Sequence, residues 1–393
     1  MTSTTKKIPI GTIVPCKFID NNYHKAEVLK IQTDSEGKQQ YYVHYLNFNK
    51  RLDEWVKPNR FSTQEIELNS PKIKTPRRGR RSKRSTPLNS DGKVVVSRSK
   101  YEKDQEMKNQ QLKELQKIRN IDEIKFGKYL IEPWYYSPYP SHLLESRKLY
   151  ICEFCFQFAN SERSFERHMV KCRCRHPPGI EIYKEGNLSI YEVDGEISKK
   201  YTRNLFLLSK LFLDHKSLSF NVELFLFYIV CENDKLGSHI TGYFSKEKNS
   251  QEYCNLACIL VLPQYQRKGY GQLMISLSYE LSKKEKKMGS PEKPFSDLGL
   301  VAYRNYWAMI LINILYNRNK ETISIQELSN ISYITPTEVK STLKWLDLIH
   351  IHENKILIHL NNSTVILKFM KKYEETKFIN PNLLNWVSYD QQL

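Results

Sequence analysis

"CILVLPQYQRKGYGQLM", residues 258–274, changes character twice within a short span. An apolar run over 258–263 gives way to Gln266, Arg267 and Lys268 with two glycines, Gly269 and Gly271, after which Leu273, Met274, Leu277 and Leu281 fall at helical spacing. The pattern predicts a buried strand, a glycine-rich turn and the start of a helix. The first N–H groups of a helix have no intrahelical partner and carry partial positive charge, and glycine lets a ligand approach the backbone. With Arg267 and Lys268 adding charge, the turn suits a phosphate-bearing ligand. Neither the Walker pattern G-x-x-x-x-G-K-[ST] nor the dinucleotide pattern G-x-G-x-x-G occurs, so a different phosphate ligand is expected.

Working outward, 393 residues with 40% hydrophobic and 12% aromatic content allow two or three folded domains. Lys and Arg number 61 against 43 Asp and Glu, a net charge of +18, which favours an acidic partner such as nucleic acid or an anionic cofactor. The N-terminal "MTSTTKKIPI" lacks a signal-peptide core, and "LFLFYIVC" at 224–231 is far shorter than the roughly 18 residues of a membrane span, so an intracellular protein without a membrane partner is expected. Of eight cysteines four lie within 152–174, which points to a metal site among free thiols rather than to a disulfide framework.

Residues 9–68 alternate short apolar and aromatic runs with turn signals at "DNN" and "DSEG", the pattern of a small all-β unit of five short strands ending in "RLDEWV". The stretch "SPKIKTPRRGRRSKRSTPLNSDGK" carries eight Lys or Arg between 72 and 84 and no acid, so 69–122 is expected to be a basic linker followed by a polar helix over about 101–119. Folded sequence resumes at about 123. Near the C-terminus "ISIQELSNIS" and "TPTEVKSTLKWLDLI" predict two helices, the second opened by Thr335, Pro336 and Glu338 as a capping box, and "HIHENKILIHL" predicts a hairpin. This is a small winged-helix pattern.

"CEFCFQFANSERSFERHMVKC" spaces Cys152, Cys155, His168 and Cys172 as C-x2-C-x12-H-x3-C. A hairpin knuckle presents the first pair while His168 and Cys172 share one helix face, which suits a closed tetrahedral zinc site. Four protein ligands leave no open position, so the metal is expected to be structural. Cys174 and His176 are read as spare.

The pattern Q/R-x-x-G-x-G/A after a buried strand resembles the pyrophosphate loop of acetyl-CoA-dependent N-acetyltransferases. Together "ACILVLPQYQRKGYGQLMISLSYELSKKEKKMGSPEKPFSDLGL", "CEFC…HMVKC", "HPPGIEIY", "FLDHKSL", "FLFYIV" and "GYFSKEK" resemble the MYST family of lysine acetyltransferases, and "YYVHYLNFNKRLDEWV" adds the N-terminal barrel of its chromo-barrel branch. The likeness covers roughly 9–65 and 123–390. It implies an α+β protein: a chromo-barrel at 9–68, and an acetyltransferase domain at 123–390 with a mixed central sheet. Within that domain it implies a C2HC finger at 150–175, an acetyl-CoA core at 200–305 and a winged-helix-like lobe at 320–362.

Acetylation of a lysine needs a proton taken from an ammonium of pKa about 10.4, so that the neutral amine can attack a thioester. The resemblance implies Glu292, in "GSPEKP", as general base; a carboxylate in a partly dry pocket would serve, while by itself the sequence favours a solvated acid between lysines in a Pro-rich turn. It implies Cys258 as the reactive cysteine, which either accepts the acetyl group or lines the pocket. It also implies pantetheine pairing by the backbone of Ile259, Leu260 and Val261, pyrophosphate contacts from Gln266, Arg267, Lys268, Gly269, Tyr270, Gly271 and Gln272, and a cofactor contact at Ser296. Asn305 stands where the family has a second contacting serine, Phe295 where a leucine is usual, and Lys216 matches a lysine that the family acetylates on itself.

Tyr42, Tyr45 and Trp55 are either core or a set that holds methylated lysine by cation–π attraction, with RNA or nucleosome contact as the other use of such a barrel. "PRRGRRSKR" suits nuclear import and phosphate contacts to DNA, or is merely a solvated linker. The expected function is a nuclear histone acetyltransferase using acetyl-CoA on histone H4 and H2-type tails within a multi-protein complex, in transcription and DNA repair. The competing reading is a non-catalytic chromatin- or DNA-binding scaffold. Survival of the loop, Cys258 and Glu292 together favours the enzyme.

Overall fold

β1 (Ile13–Lys17), β2 (Tyr23–Thr33), β3 (Gln39–Tyr45) and β4 (Glu54–Val56) form an antiparallel sheet in that order. Alternate residues Val14 and Cys16, Ala26 and Val28, and Tyr41, Val43 and Tyr45 enter one core with Val56 and Phe61. The computed structural model describes residues 8–33, 38–62, 118–214, 221–250, 252, 254–318, 323–352, 355–358 and 363–388. Among these, four strands stand where the sequence predicts five. β2 runs unbroken for 11 residues and bends at a bulge between Val28 and Lys30 instead of ending. The basic linker and the polar helix expected over 101–119 lie outside the described residues, save its last two positions.

By contacts the chain divides into two compact units, residues 1–120 with 134–137, and 121–133 with 138–393. The second begins with β5 (Glu123–Phe126), β6 (Tyr129–Ile131), β7 (Lys148–Ile151) and β8 (Phe158–Ala159), a sheet of order β6-β5-β7-β8, followed by helix α1 (Glu162–Lys171). β9 (Ile180–Glu185), β10 (Leu188–Asp194), β11 (Phe225–Asp234), β12 (Gly237–Glu247) and β14 (Cys258–Val261) make the central sheet, of order β14-β12-β11-β10-β9, with every neighbour antiparallel. The parallel component of this mixed core is separate, because β13 (Cys254–Leu256) leaves the sheet and pairs with β15 (Ser290–Pro291). Leu226 to Cys231 are all buried, as expected of a strand covered on both faces.

Helix α2 (Lys199–Lys210) precedes β11; α3 (Tyr270–Glu285) and α4 (Asp297–Tyr316) follow the glycine turn and the "GSPEKP" turn. α4 is long and apolar enough to cross a membrane by length and composition, yet Tyr303, Tyr306, Trp307, Ala308, Met309, Leu311 and Ile312 sit in the main core. A helix packed on several sides is apolar around most of its circumference. Next come α5 (Ile325–Ser332), α6 (Pro336–Trp345), the hairpin β16 (Ile349–His352) and β17 (Lys355–Ile358), and α7 (Ser363–Glu375). Both predicted helices and the hairpin are therefore present. The capping box lies elsewhere: Ser324 and Glu327 close one on α5, while Thr335 makes no side-chain cap bond.

Candidate active site

The strand, turn and helix read from 258–274 are in place. β14 pairs with β12 through Ser245 and Cys258, Phe244 and Ile259, Tyr243 and Leu260, and Gly242 and Val261, and it stands at the end of the sheet order. Its outer edge offers backbone groups to an extended ligand, as an added strand would use them. Pro263–Tyr265 then form a 3-10 turn, and the Gln266 side chain donates to Val261 O at 3.1 Å. Gly269 caps α3 at φ 90° and ψ −10°, with nothing within 4 Å of the position of a β-carbon, so glycine is needed there for its backbone angle. Arg267 accepts a left-handed φ of 62°, a strain of the kind that collects at ligand sites. The Tyr270 hydroxyl donates to Glu232, Gln272 donates to Ala302 O at 2.9 Å, and Lys268 lies over the Tyr265 ring at 5.2 Å. These contacts hold the turn so that the opening N–H groups of α3 present an anion-binding end.

Cys258 is half-buried, and its sulfur lies 3.8 Å from the Tyr243 hydroxyl, which is 2.6 Å from Ser209 Oγ. Ser209 donates its proton to Leu205 O at 2.5 Å. The Tyr243 proton must therefore go to Ser209, and the Cys258 thiol donates to the tyrosine oxygen. Burial pushes the Tyr243 phenol well above its ordinary range, so it stays protonated. Neither Tyr243 nor Ser209 announces itself in the sequence, since their meeting with Cys258 depends on pairing across the sheet.

Glu292 follows β15, and its N–H donates to Leu256 O at 2.8 Å. The expectation of a partly dry pocket needs correction: Glu292 is exposed, on the turn that follows the two-residue strand β15, as expected of an acid flanked by proline and lysine. Carboxylates do converge here. The Cys254 thiol is pushed up, first by burial and then by Glu252, Glu292 and Glu247. Ser296 caps α4, accepting from Gly299 N at 3.0 Å. Asn305 donates to Val301 O at 2.8 Å and accepts from Lys372 Nζ at 2.7 Å, which ties its amide to α7. Lys216 lies outside the described residues.

Cys152 and Cys155 follow β7, His168 lies on α1 and Cys172 caps it; their donor atoms all fall within 4.8 Å of one another. The sulfur of Cys172 is 3.9 Å from that of Cys152 and 3.8 Å from that of Cys155, and Cys155 Sγ is 3.3 Å from His168 Nε2. A tetrahedron with Zn–S bonds of about 2.3 Å has S···S edges of about 3.8 Å, so the set fits zinc. Cys174 is exposed and outside the set, and His176 bonds to Pro177 O at 2.9 Å.

The barrel aromatics do not assemble as a trio. Tyr42 and Trp55 lie 5.3 Å apart, whereas Tyr45 packs on Phe18 at 4.7 Å and bonds to Glu54 at 3.0 Å. Positions 42 and 45 are an odd number of residues apart on β3, so their side chains leave on opposite faces.

Comparison with known proteins agrees with this geometry. Residues 176–384 match the family described as MOZ/SAS, residues 118–172 the MYST family zinc finger domain, and residues 8–63 the "RNA binding activity-knot of a chromodomain". The chain is 45% identical over 357 residues to "Histone acetyltransferase of the MYST family 1" of Arabidopsis thaliana, covering 89% of this chain and 79% of that protein. It is 42% identical over 397 residues to "Histone acetyltransferase ESA1" of Saccharomyces cerevisiae, covering 92% and 88% respectively.

Proposed function

This chain belongs to the MYST family of histone acetyltransferases, and on that premise we propose that Glu292 is the base, and the 258–272 strand and turn the acetyl-CoA seat, of a nuclear enzyme that acetylates histone lysines. The observation that carries the reading is the outer edge of β14 running into a turn with Gly269 at φ 90° and the open N-terminus of α3. Bound there, acetyl-CoA supplies an activated thioester acyl group. Ile259, Leu260 and Val261 would pair with its extended arm; the residues from Gln266 to Gln272 would hold its pyrophosphate, with Ser296 and Asn305 as outer contacts.

Glu292 takes the proton from the incoming lysine ammonium, whose ordinary pKa is about 10.4, and leaves a neutral amine able to attack. Cys258, 3.8 Å from the Tyr243 hydroxyl, either lines the site or accepts the acetyl group. Zinc at Cys152, Cys155, His168 and Cys172 is structural. We assign 9–68 to the chromo-barrel, 69–122 to the basic linker and 123–390 to the acetyltransferase domain, with its finger at 150–175, core at 200–305 and C-terminal lobe at 320–362.

Histone H4 and the H2-type histones in nucleosomes are the proposed substrates, with nucleic acid engaged by the barrel and the linker, further subunits completing the enzyme, and Lys216 acetylated on itself. The test is transfer of labelled acetyl from acetyl-CoA to recombinant nucleosomes and to free histone H4, with modified lysines mapped by mass spectrometry. Label on the tails of histone H4 or of the H2-type histones is expected. Nucleosome binding with no label on any histone would favour the scaffold reading.

A further inference from the structure

The turn that carries Glu292 is held on either side of that residue by one buried carboxylate. Ser290 donates its hydroxyl to Glu338 Oε1 at 2.8 Å, and Lys293 Nζ lies 3.1 Å from the same oxygen. The Glu338 side chain is 5% exposed and that of Lys293 57%. The other oxygen, Oε2, is buried without a hydrogen-bond partner. A buried carboxylate left half satisfied is costly, and local sequence offered it a cheaper place, as the third residue of a capping box opened by Thr335. It turns away from its own helix end towards the 290–293 turn instead.

The backbone already pins this turn. Gly289 N donates to Tyr333 O at 2.8 Å, Gly289 bridges to Ile334, and Glu292 N donates to Leu256 O at 2.8 Å. What Glu338 adds is charge, set against the ammonium next in sequence to Glu292. We propose that Glu338 is a positioning residue for the transfer reaction: by binding Ser290 and pairing with Lys293 it fixes the turn and offsets the lysine's field, which keeps Glu292 a strong enough base.

The inference rests on Glu292 being that base. The ionisable groups about the turn include Cys254 on β13 with Glu247 and Glu252 near it, Lys293 on the turn itself, and Glu338 on α6, which Tyr279 of α3 and Tyr303 of α4 face from the core side.

The signs are opposite for the two partners. In Glu338→Gln the shape and the Ser290 bond persist, but Lys293 becomes an unopposed cation beside Glu292. It favours the carboxylate, and the acid limb of the kcat–pH profile moves down by about half a pH unit, a value discounted for the exposure of the turn. The weaker base lowers the plateau by about twofold. In Lys293→Gln the Glu338 anion is the unopposed charge, and the limb moves up by a similar amount.

The experiment records kcat against pH for the full chain with acetyl-CoA and histone H4, in the native protein, both single variants, the double variant and Glu292→Gln. Opposite shifts in the singles and a native limb in the double variant are expected. A merely structural role would lower rates or melting temperature without opposed shifts, and unmoved or parallel limbs would overturn the proposal. Should Glu338→Gln not fold, Lys293→Gln, at an exposed side chain, carries the test through its upward shift. If Glu292→Gln keeps both rate and limb, the base assignment itself is wrong; if it loses them while Glu338→Gln leaves the limb in place, only the role of Glu338 is wrong.

Discussion

Replacing Gly269 and Gly271 separately by alanine should affect stability and cofactor binding in different ways. Gly269 sits at φ 90° with open space around a β-carbon, so Gly269→Ala meets a backbone penalty and no clash. Left-handed backbone costs an L-residue about 1–2 kcal/mol, and for a unit of this size each kcal/mol lowers the melting temperature by about 2–4 °C, so a fall of roughly 2–8 °C is expected. Gly271 lies inside α3, where a β-carbon would meet only Val261 Cγ2, at 3.9 Å. Alanine there should raise helix stability by about 0.5 kcal/mol and the melting temperature by a degree or two. Alanine is the other residue that the pattern Q/R-x-x-G-x-G/A admits at this position, so Gly271→Ala should bind acetyl-CoA as the native chain does, whereas Gly269→Ala, which disturbs the left-handed cap of α3, should lose about 1.4 kcal/mol, tenfold in affinity. Thermal melts without ligand, joined to calorimetric titration with acetyl-CoA, separate the two effects. A Gly269→Ala protein that binds acetyl-CoA as tightly as the native chain would refute the seat assigned to the cofactor; a Gly271→Ala protein that melts as early as Gly269→Ala would refute the helix argument.

Cys155→Ser should reduce zinc content from one ion per chain to none by elemental analysis and unfold the finger, since structural zinc supplies about 10 kcal/mol or more of folding free energy in such modules; full zinc occupancy would contradict the ligand set. Lys246 and Glu285 form an ion pair whose side chains are only 12% and 11% exposed, so Glu285→Ala should cost about 3–5 kcal/mol in urea unfolding, most of it recovered by adding Lys246→Met. An equal cost in the single and double variants would count against that reading. The Asp53 hydrogen bond raises the His44 pKa, so the histidine's contribution to barrel stability is complete below its unfolded value of about 6.5 and is lost as pH rises through the raised native value. The stability difference between the native chain and His44→Gln should shrink over that window, and a difference that grows with pH would reverse the assignment.

What was legible in the sequence was local. The strand, turn and helix at 258–274 follow from neighbouring residues, and the zinc ligands from a spacing that only a knuckle and a helix can satisfy. Glu338 shows the limit: the Thr335 signal for a capping box is sound as a local rule, yet tertiary bonds to Ser290 and Lys293 outcompete it. The Tyr243 and Ser209 partners of Cys258 come from other elements and left no motif. Tyr42, Tyr45 and Trp55 share aromatic character, yet the odd spacing of the two tyrosines on one strand places them on opposite faces. The exposure of Glu292 agrees with the local reading of "GSPEKP" as a Pro-rich turn with a solvated acid between lysines; the expectation of a partly dry pocket came only with the base role.

The central claim is that this chain transfers acetyl groups with Glu292 as the base. Its most direct test is the rate of acetylation of nucleosomal histones by Glu292→Gln at saturating acetyl-CoA, with cofactor affinity measured on the same protein. Loss of a general base is expected to cost about 10²–10⁴ in rate while acetyl-CoA binds as in the native chain. A variant that acetylates at the native rate would contradict the account.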